Sequence, residues 1–145
     1  MKGTILPLLL TAMLTSCAAT RPIALQDATP VPVERIFAFK GPADDSTGAV
    51  IVVRDMGHMG GGCPMGFYVD GELAAHVRKG ETVALTIPAG NHVLGAGPEG
   101  DGVCSWNNEA AKRREISLAV QAGGRTKIRL AYTQQGDAIV SPTAF

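Results

Sequence analysis

From residue 35 onward no stretch of the chain repeats its apolar residues with a helical period; short β-branched runs alternate instead with glycine and proline. Such a pattern cannot supply long amphipathic helices and predicts strands joined by tight turns. Ala49-Val50-Ile51-Val52-Val53-Arg54 is apolar at consecutive positions. It therefore reads as a strand covered on both faces, central in its sheet. Arg35-Ile36-Phe37-Ala38-Phe39 reads as the strand before it.

Residues 67–96 are expected to form a four-strand meander. Phe67-Tyr68-Val69 meets Glu72-Leu73-Ala74-Ala75-His76-Val77 across Asp70-Gly71, a pair that tolerates the positive φ values of a two-residue hairpin. Thr82 to Ile87 alternates, with Val83, Leu85 and Ile87 on the inner face, and Arg78-Lys79-Gly80 turns the chain into it. Pro88-Ala89-Gly90-Asn91 then returns the chain into His92 to Ala96. Further on, Ile116, Leu118 and Val120 alternate, Gly123-Gly124 turns, and Ile128, Leu130 and Tyr132 alternate again, predicting a second hairpin. A helical turn is expected over 109–114 and a short last strand over 138–140. The fold class predicted is all-β, a small antiparallel sandwich or partly closed barrel, because either arrangement manages exposed strand edges.

The start of the chain is different in kind. Met1-Lys2 is followed by an apolar run to Leu14 and by Thr15-Ser16-Cys17, the layout of a secretory signal. The run is shorter than the ~20 residues a membrane-spanning helix needs. Leu14-Thr15-Ser16-Cys17 resembles the lipobox of bacterial lipoproteins. That resemblance implies removal of residues 1–16, acylation of Cys17, and a mature chain of residues 17–145. Ala18 after the cysteine, rather than an aspartate, resembles outer-membrane sorting in Gram-negative cells, so the expected place is the periplasmic face of the outer membrane. Residues 17–34 carry three prolines and little periodicity, and read as a lipid anchor followed by a flexible tether. Extended, it would reach up to about 50 Å. Residues 35–145 are the β domain.

Export also bears on the cysteines. The chain has three, and lipidation of Cys17 leaves a pair in an oxidising space, which reads as a Cys63–Cys104 disulfide. An even number of meander strands puts the segment before the first and the segment after the last at one end, where these two cysteines would meet. Thirteen basic residues balance thirteen acidic ones, so there is no basic footprint for nucleic acid.

Val69-Asp70-Gly71, Ala75 and Pro88-Ala89-Gly90-Asn91-His92-Val93, with Arg54 ending the strand before them, resemble a family of uncharacterised bacterial envelope proteins. They are also distantly similar to PEGA-type surface domains. The resemblance covers Arg35 to Ala96 and implies a β fold, often with a lipobox, but no activity.

Two segments carry candidate chemistry. Met56, His58, Met59, Cys63 and Met65 offer thioether, imidazole and thiolate, the ligands that suit Cu(I), so a copper-binding lipoprotein is one reading. The other gives the methionines to packing and the cysteine to a disulfide. Trp106, beside Asn107 and Asn108, is the only tryptophan and reads either as a buried plug or as an exposed anchor for an envelope protein or glycan. His76 falls on the solvent side by strand parity, and His92 satisfies local backbone groups. No nucleophile, base and orienter assemble, and no G-x-S-x-G, H-E-x-x-H, P-loop or C-x-x-C occurs. Gly95-Ala96-Gly97 echoes a phosphate loop but opens no helix. The expected role is a non-catalytic, lipid-anchored binding or assembly module without a cofactor.

Overall fold

The fold is given by a computed structural model that describes residues 20–107 and 112–144. Its strands, in chain order, are β1 (Thr20–Arg21), β2 (Thr29–Pro30), β3 (Thr47–Arg54), β4 (Met56–Gly57), β5 (Met65–Val69), β6 (Glu72–Val77), β7 (Glu81–Pro88), β8 (Gly90–Pro98), β9 (Arg114–Val120), β10 (Arg125–Tyr132) and β11 (Ala138–Pro142). Short 3-10 turns occupy Leu25–Asp27, Val33–Arg35 and Gly102–Asn107. A five-stranded sheet, ordered β11-β10-β3-β7-β2, packs on a four-stranded sheet, ordered β6-β5-β8-β9, and β1 pairs with β4 in a small ribbon. The fold is an all-β sandwich with neither sheet closed into a barrel.

The consecutive apolar run of β3 makes it the centre of the five-stranded sheet, with Val50 to Val53 all buried. Val83, Leu85 and Ile87 of β7 face inward as their alternation predicts, against Phe67, Leu94, Ile128 and Leu130. Fully burying an aliphatic side chain of this size is worth about 1.5–3 kcal/mol, so this inner layer holds the two sheets together.

Three expectations are corrected by the sheet order. Residues 67–96 do not form a meander: β7 leaves the sheet of β6 and pairs with β3, while β8 returns to pair with β5. The cause lies in the linker, since Ala89 alone separates β7 from β8. A tight hairpin needs two turn residues, so the chain makes a corner between sheets. The second hairpin is likewise absent. Strand β9 pairs with β8, whereas β10 lies parallel to β3 and antiparallel to β11. The crossing at 121–124 passes directly over Gly48, where a Cβ would come within 2.4 Å of the Gln121 carbonyl oxygen. The five-stranded sheet is therefore mixed rather than purely antiparallel.

Arg35 to Phe39 also fails to form a strand. Ile36 bridges Ala75 in one sheet, and the Phe39 carbonyl accepts from Thr86 N–H in the other. The segment thus spans the open side of the sandwich, with Arg35 fixed by Glu81 through two bonds of 2.8 and 2.5 Å. Nor do residues 20–34 hang free as a tether. β1 and β2 hydrogen-bond to β4 and β7, and Val31 is buried in the core. The expected last strand is present as β11. Of the expected helical turn, residues 109–111 lie outside the described residues and Arg114 opens β9. Cys17 also lies outside them.

Candidate functional site

The candidate site is the end of the sandwich where β3, β6 and β10 finish and β5 begins. Arg54, the last residue of β3, is 2% exposed. Its guanidinium donates to the carbonyls of Cys63, Val77 and Gly60, each at 2.8 Å, and lies 5.4 Å from the centre of the Tyr132 ring. Burial draws its pKa below the ordinary value, opposed by Tyr132 and Glu81. A planar cation with five fixed donors suits three converging carbonyls. Arg54 thereby binds the 56–63 loop to the end of β6. Gly60 has φ 61°, and a Cβ there would lie 2.4 Å from the Tyr132 ring, so both backbone and space demand glycine.

Cys63 and Cys104 are bridged, with Cα atoms 5.5 Å apart. The pairing is as expected, but the reason differs. Strands β5 and β8 are direct neighbours with Met65 opposite Pro98, so the residues before β5 and after β8 share one end without any meander. The bridge holds the 3-10 turn Gly102–Asn107 against the 56–63 loop. Three residues complete one turn of such a helix, which places Val103 and Trp106 on one side of it, 68% and 76% exposed. Trp106 is thus an exposed residue and not a plug. Asn107 closes the turn, and Asn108 lies outside the described residues. A cleft of about 410 Å³ runs between the two loops, lined by Met59, Cys63, Val103, Cys104 and Tyr132 among others.

The residues proposed as copper ligands separate. Cys63 is bonded to Cys104, Met65 is wholly buried in the core, and the Met56 sulfur packs where a Gly80 side chain would stand. His58 and Met59 are exposed on the loop. Among the described residues no group of three or more His, Cys, Asp or Glu side chains gathers to hold a metal ion.

A second polar cluster on the outer face of the four-stranded sheet was not legible in the sequence. Gly66 pairs with Gly97, and Gly95 with Tyr68. Over these bare positions the Tyr68 ring lies beneath Arg113, whose guanidinium is 3.7 Å from the ring centre. The Tyr68 hydroxyl donates to Glu99 Oε1. A Cβ on Gly66 would sit 2.4 Å from the Glu99 side chain, which explains why this position is glycine. Burial first, and the Glu99 carboxylate next, push the Tyr68 phenol well above its usual range. His76 Nε2 lies 3.9 Å from Glu99 Oε2, and the ring stands edge-on to Phe37 at 4.9 Å between centres.

His76 was expected on the solvent side. Phe37 in the crossing segment covers it, so Nε2 has no hydrogen-bond partner among the described residues, and burial lowers its pKa. The Gly95-Ala96-Gly97 echo of a phosphate loop belongs to this packing: its glycines make room for side chains. The cluster joins Tyr68 to Glu99 by a hydrogen bond, with Arg113 stacked on the ring and His76 beside the carboxylate.

At the opposite end His92 behaves as expected. Nε2 is 2.8 Å from the Pro88 carbonyl and Nδ1 is 2.7 Å from Asp70 Oδ2. Acceptors on both nitrogens favour the protonated ring, and the Asp70 bond raises the His92 pKa. Comparison of the chain with family models, with curated proteins and with solved structures finds no match. The resemblance to the uncharacterised envelope family therefore rests on the turn motifs alone.

Proposed function

We propose that the protein is a lipid-anchored lipoprotein of the cell envelope, held at the periplasmic face of the outer membrane, and that it serves as a non-catalytic binding or assembly module. The observation that carries this reading is Leu14-Thr15-Ser16-Cys17 at the end of a short apolar leader. The bridged Cys63–Cys104 pair supports it, because such bonds persist in oxidising compartments. Assigning two cysteines to the bridge and the third to the lipid accounts for the odd number.

The contact surface of the module is the disulfide end, where Val103 and Trp106 stand exposed on a stapled turn. Envelope proteins and glycans are the partner classes such a surface suits, and a nucleic acid is not. Several acyl chains on one cysteine give stable anchoring. Copper handling by the methionine loop gains no support from the arrangement of its residues.

Intact mass of the protein purified from its native host tests the reading. The expected species begins at Cys17 and carries a diacylglyceryl group and an amide-linked acyl chain. The Cys17→Ser protein should keep its leader or lose membrane retention. A species that begins at Met1 without acyl groups overturns the proposal.

A further inference from the structure

The lipid site and the exposed apolar turn are brought to one place by the smallest sheet of the fold. Thr20 of β1 pairs with Gly57 of β4. Cys17 is three residues earlier, and three residues of chain reach at most about 11 Å. Whatever conformation that link adopts, an acylated Cys17 keeps the 56–63 loop near the headgroups. Met59 continues the connection. It lines one crevice with Thr20 and Lys79, and it lines the larger cleft with Val103 and Cys104.

From this geometry we infer that the disulfide end faces the bilayer, with Met59, Val103 and Trp106 seated in the headgroup layer of the membrane that holds the lipid. The inference rests on acylation of Cys17 and gives the contact surface a lipid occupant in place of the protein and glycan classes named above. Three properties of the end fit that occupant. Tryptophan is an amphipathic ring suited to the membrane interface. The Cys63–Cys104 bridge orders the turn before contact, which reduces the entropy lost on insertion. Arg21, Arg78 and Lys79 are exposed around the same end, where phosphate headgroups are natural partners.

The carboxylates there are mostly engaged: Asp55 with Arg129, Glu81 with Arg35, Asp137 with Arg114, and Glu99 with Tyr68. Asp101, exposed at the start of the turn, opposes the contact. The Asp70–His92 end, at the other end of β5 and β8, would then point away from the membrane.

Because Trp106 is the only tryptophan, its emission reports directly on this end. The lipidated mature protein, beginning at Cys17, is reconstituted into vesicles of phosphatidylethanolamine and phosphatidylglycerol, with and without dibrominated acyl chains. Trp106 emission should shift to the blue on reconstitution, be quenched by the brominated lipid, and resist aqueous iodide. In a Trp106→Phe background, Met59→Trp should be quenched in the same way. Val93→Trp, at the far end, should not be. Intact mass of each sample reads the anchor separately. Acylated protein whose Trp106 is open to iodide and untouched by brominated lipid overturns the orientation alone, and leaves the face to a protein or glycan partner or a second copy. Unacylated protein overturns both the orientation and the reading on which it rests.

Discussion

The neighbouring strands β5 and β8 end in two different ways. At one end Asp70 and Gly71 turn the chain, Asp70 Oδ1 accepts from Val93 N–H at 2.8 Å, and His92 ties Asp70 to Pro88. These residues fall between Asp70 and Val93, and the contacts that join them have sequence separations of 22, 23 and 4. At the other end Arg54, Gly60, Cys63, Cys104 and Tyr132 come from four separate segments and are joined by a buried cation and a disulfide. The first end is closed by the neighbouring strands β5 and β8 and the turns beside them. The second exists only when the whole sandwich is assembled, and it is the end that presents the exposed tryptophan. Perturbations should therefore cost more at the disulfide end.

The largest loss is expected for the Cys63→Ser, Cys104→Ser double variant. Opening a loop of sequence separation 41 should destabilise the fold by about 4 kcal/mol in urea unfolding. Amide exchange should quicken at 56–63 and 102–107 while the Asp70–His92 turn stays protected. Equal acceleration at both ends would erase the distinction.

Arg54→Met comes next. It leaves three buried carbonyls without a donor, and hydrogen bonds to a charged group contribute about 1.5–3 kcal/mol each. Because the cation also escapes a desolvated site, the net loss should be on the order of 3 kcal/mol, read as a lower urea midpoint at unchanged slope.

Two glycines give the sharpest form of the comparison. Both have positive φ, 61° at Gly60 and 83° at Gly71, but a Cβ meets the Tyr132 ring at the first and open space at the second. Gly71→Ala should cost about 1 kcal/mol from backbone conformation alone. Gly60→Ala adds an overpacking penalty and should cost about 3 kcal/mol. Melting temperatures that fall equally would mean the Tyr132 contact is unimportant.

The smallest effect is in pH, and it separates His92 from His76. Asp70 raises the His92 pKa above 6.5. Its contribution is therefore complete below that value and is lost as pH rises through the folded pKa. The Asp70 carboxyl is lowered from 3.8, chiefly by the Val93 N–H. Its contribution is present above that value and disappears as pH falls through the folded pKa. Burial instead lowers the His76 pKa below 6.5, so its neutral ring is tolerated above 6.5 and opposes the fold as pH falls toward the folded pKa. NMR titration should find His92 the more basic of the two, and the reverse order would contradict this account.

The difference between the two ends also marks how far the residues could be read. The Asp70-Gly71 turn, the inward face of β7 and the burial of β3 depend on period and turn chemistry, which act between near neighbours. The Cys63–Cys104 pair was expected from the number of cysteines together with the export that the leader suggests, and the bridge is present. Which sheet a strand joins did not follow, because Val83, Leu85 and Ile87 present the same apolar face to either arrangement. The one-residue corner at Ala89 shows only once the bounds of β7 and β8 are known, since Pro88-Ala89-Gly90-Asn91 reads equally well as a turn. The Tyr68–Glu99–His76 cluster was hidden because it needs Gly66, Gly95 and Gly97 brought side by side.

The strands from β5 to β10, the central β3 and the turn at Asp70-Gly71 were thus written in the order of residues, since each is settled by backbone preference and by which side chains shun water, whereas Arg35 to Phe39 reads as a strand and is not one. The parallel β3–β10 pair, the docking of β1 beside the methionine loop and the exposure of Trp106 were decided only by tertiary packing. These join segments far apart in the chain, and their free energy is gained only after loop closure has been offset by burial of the shared core.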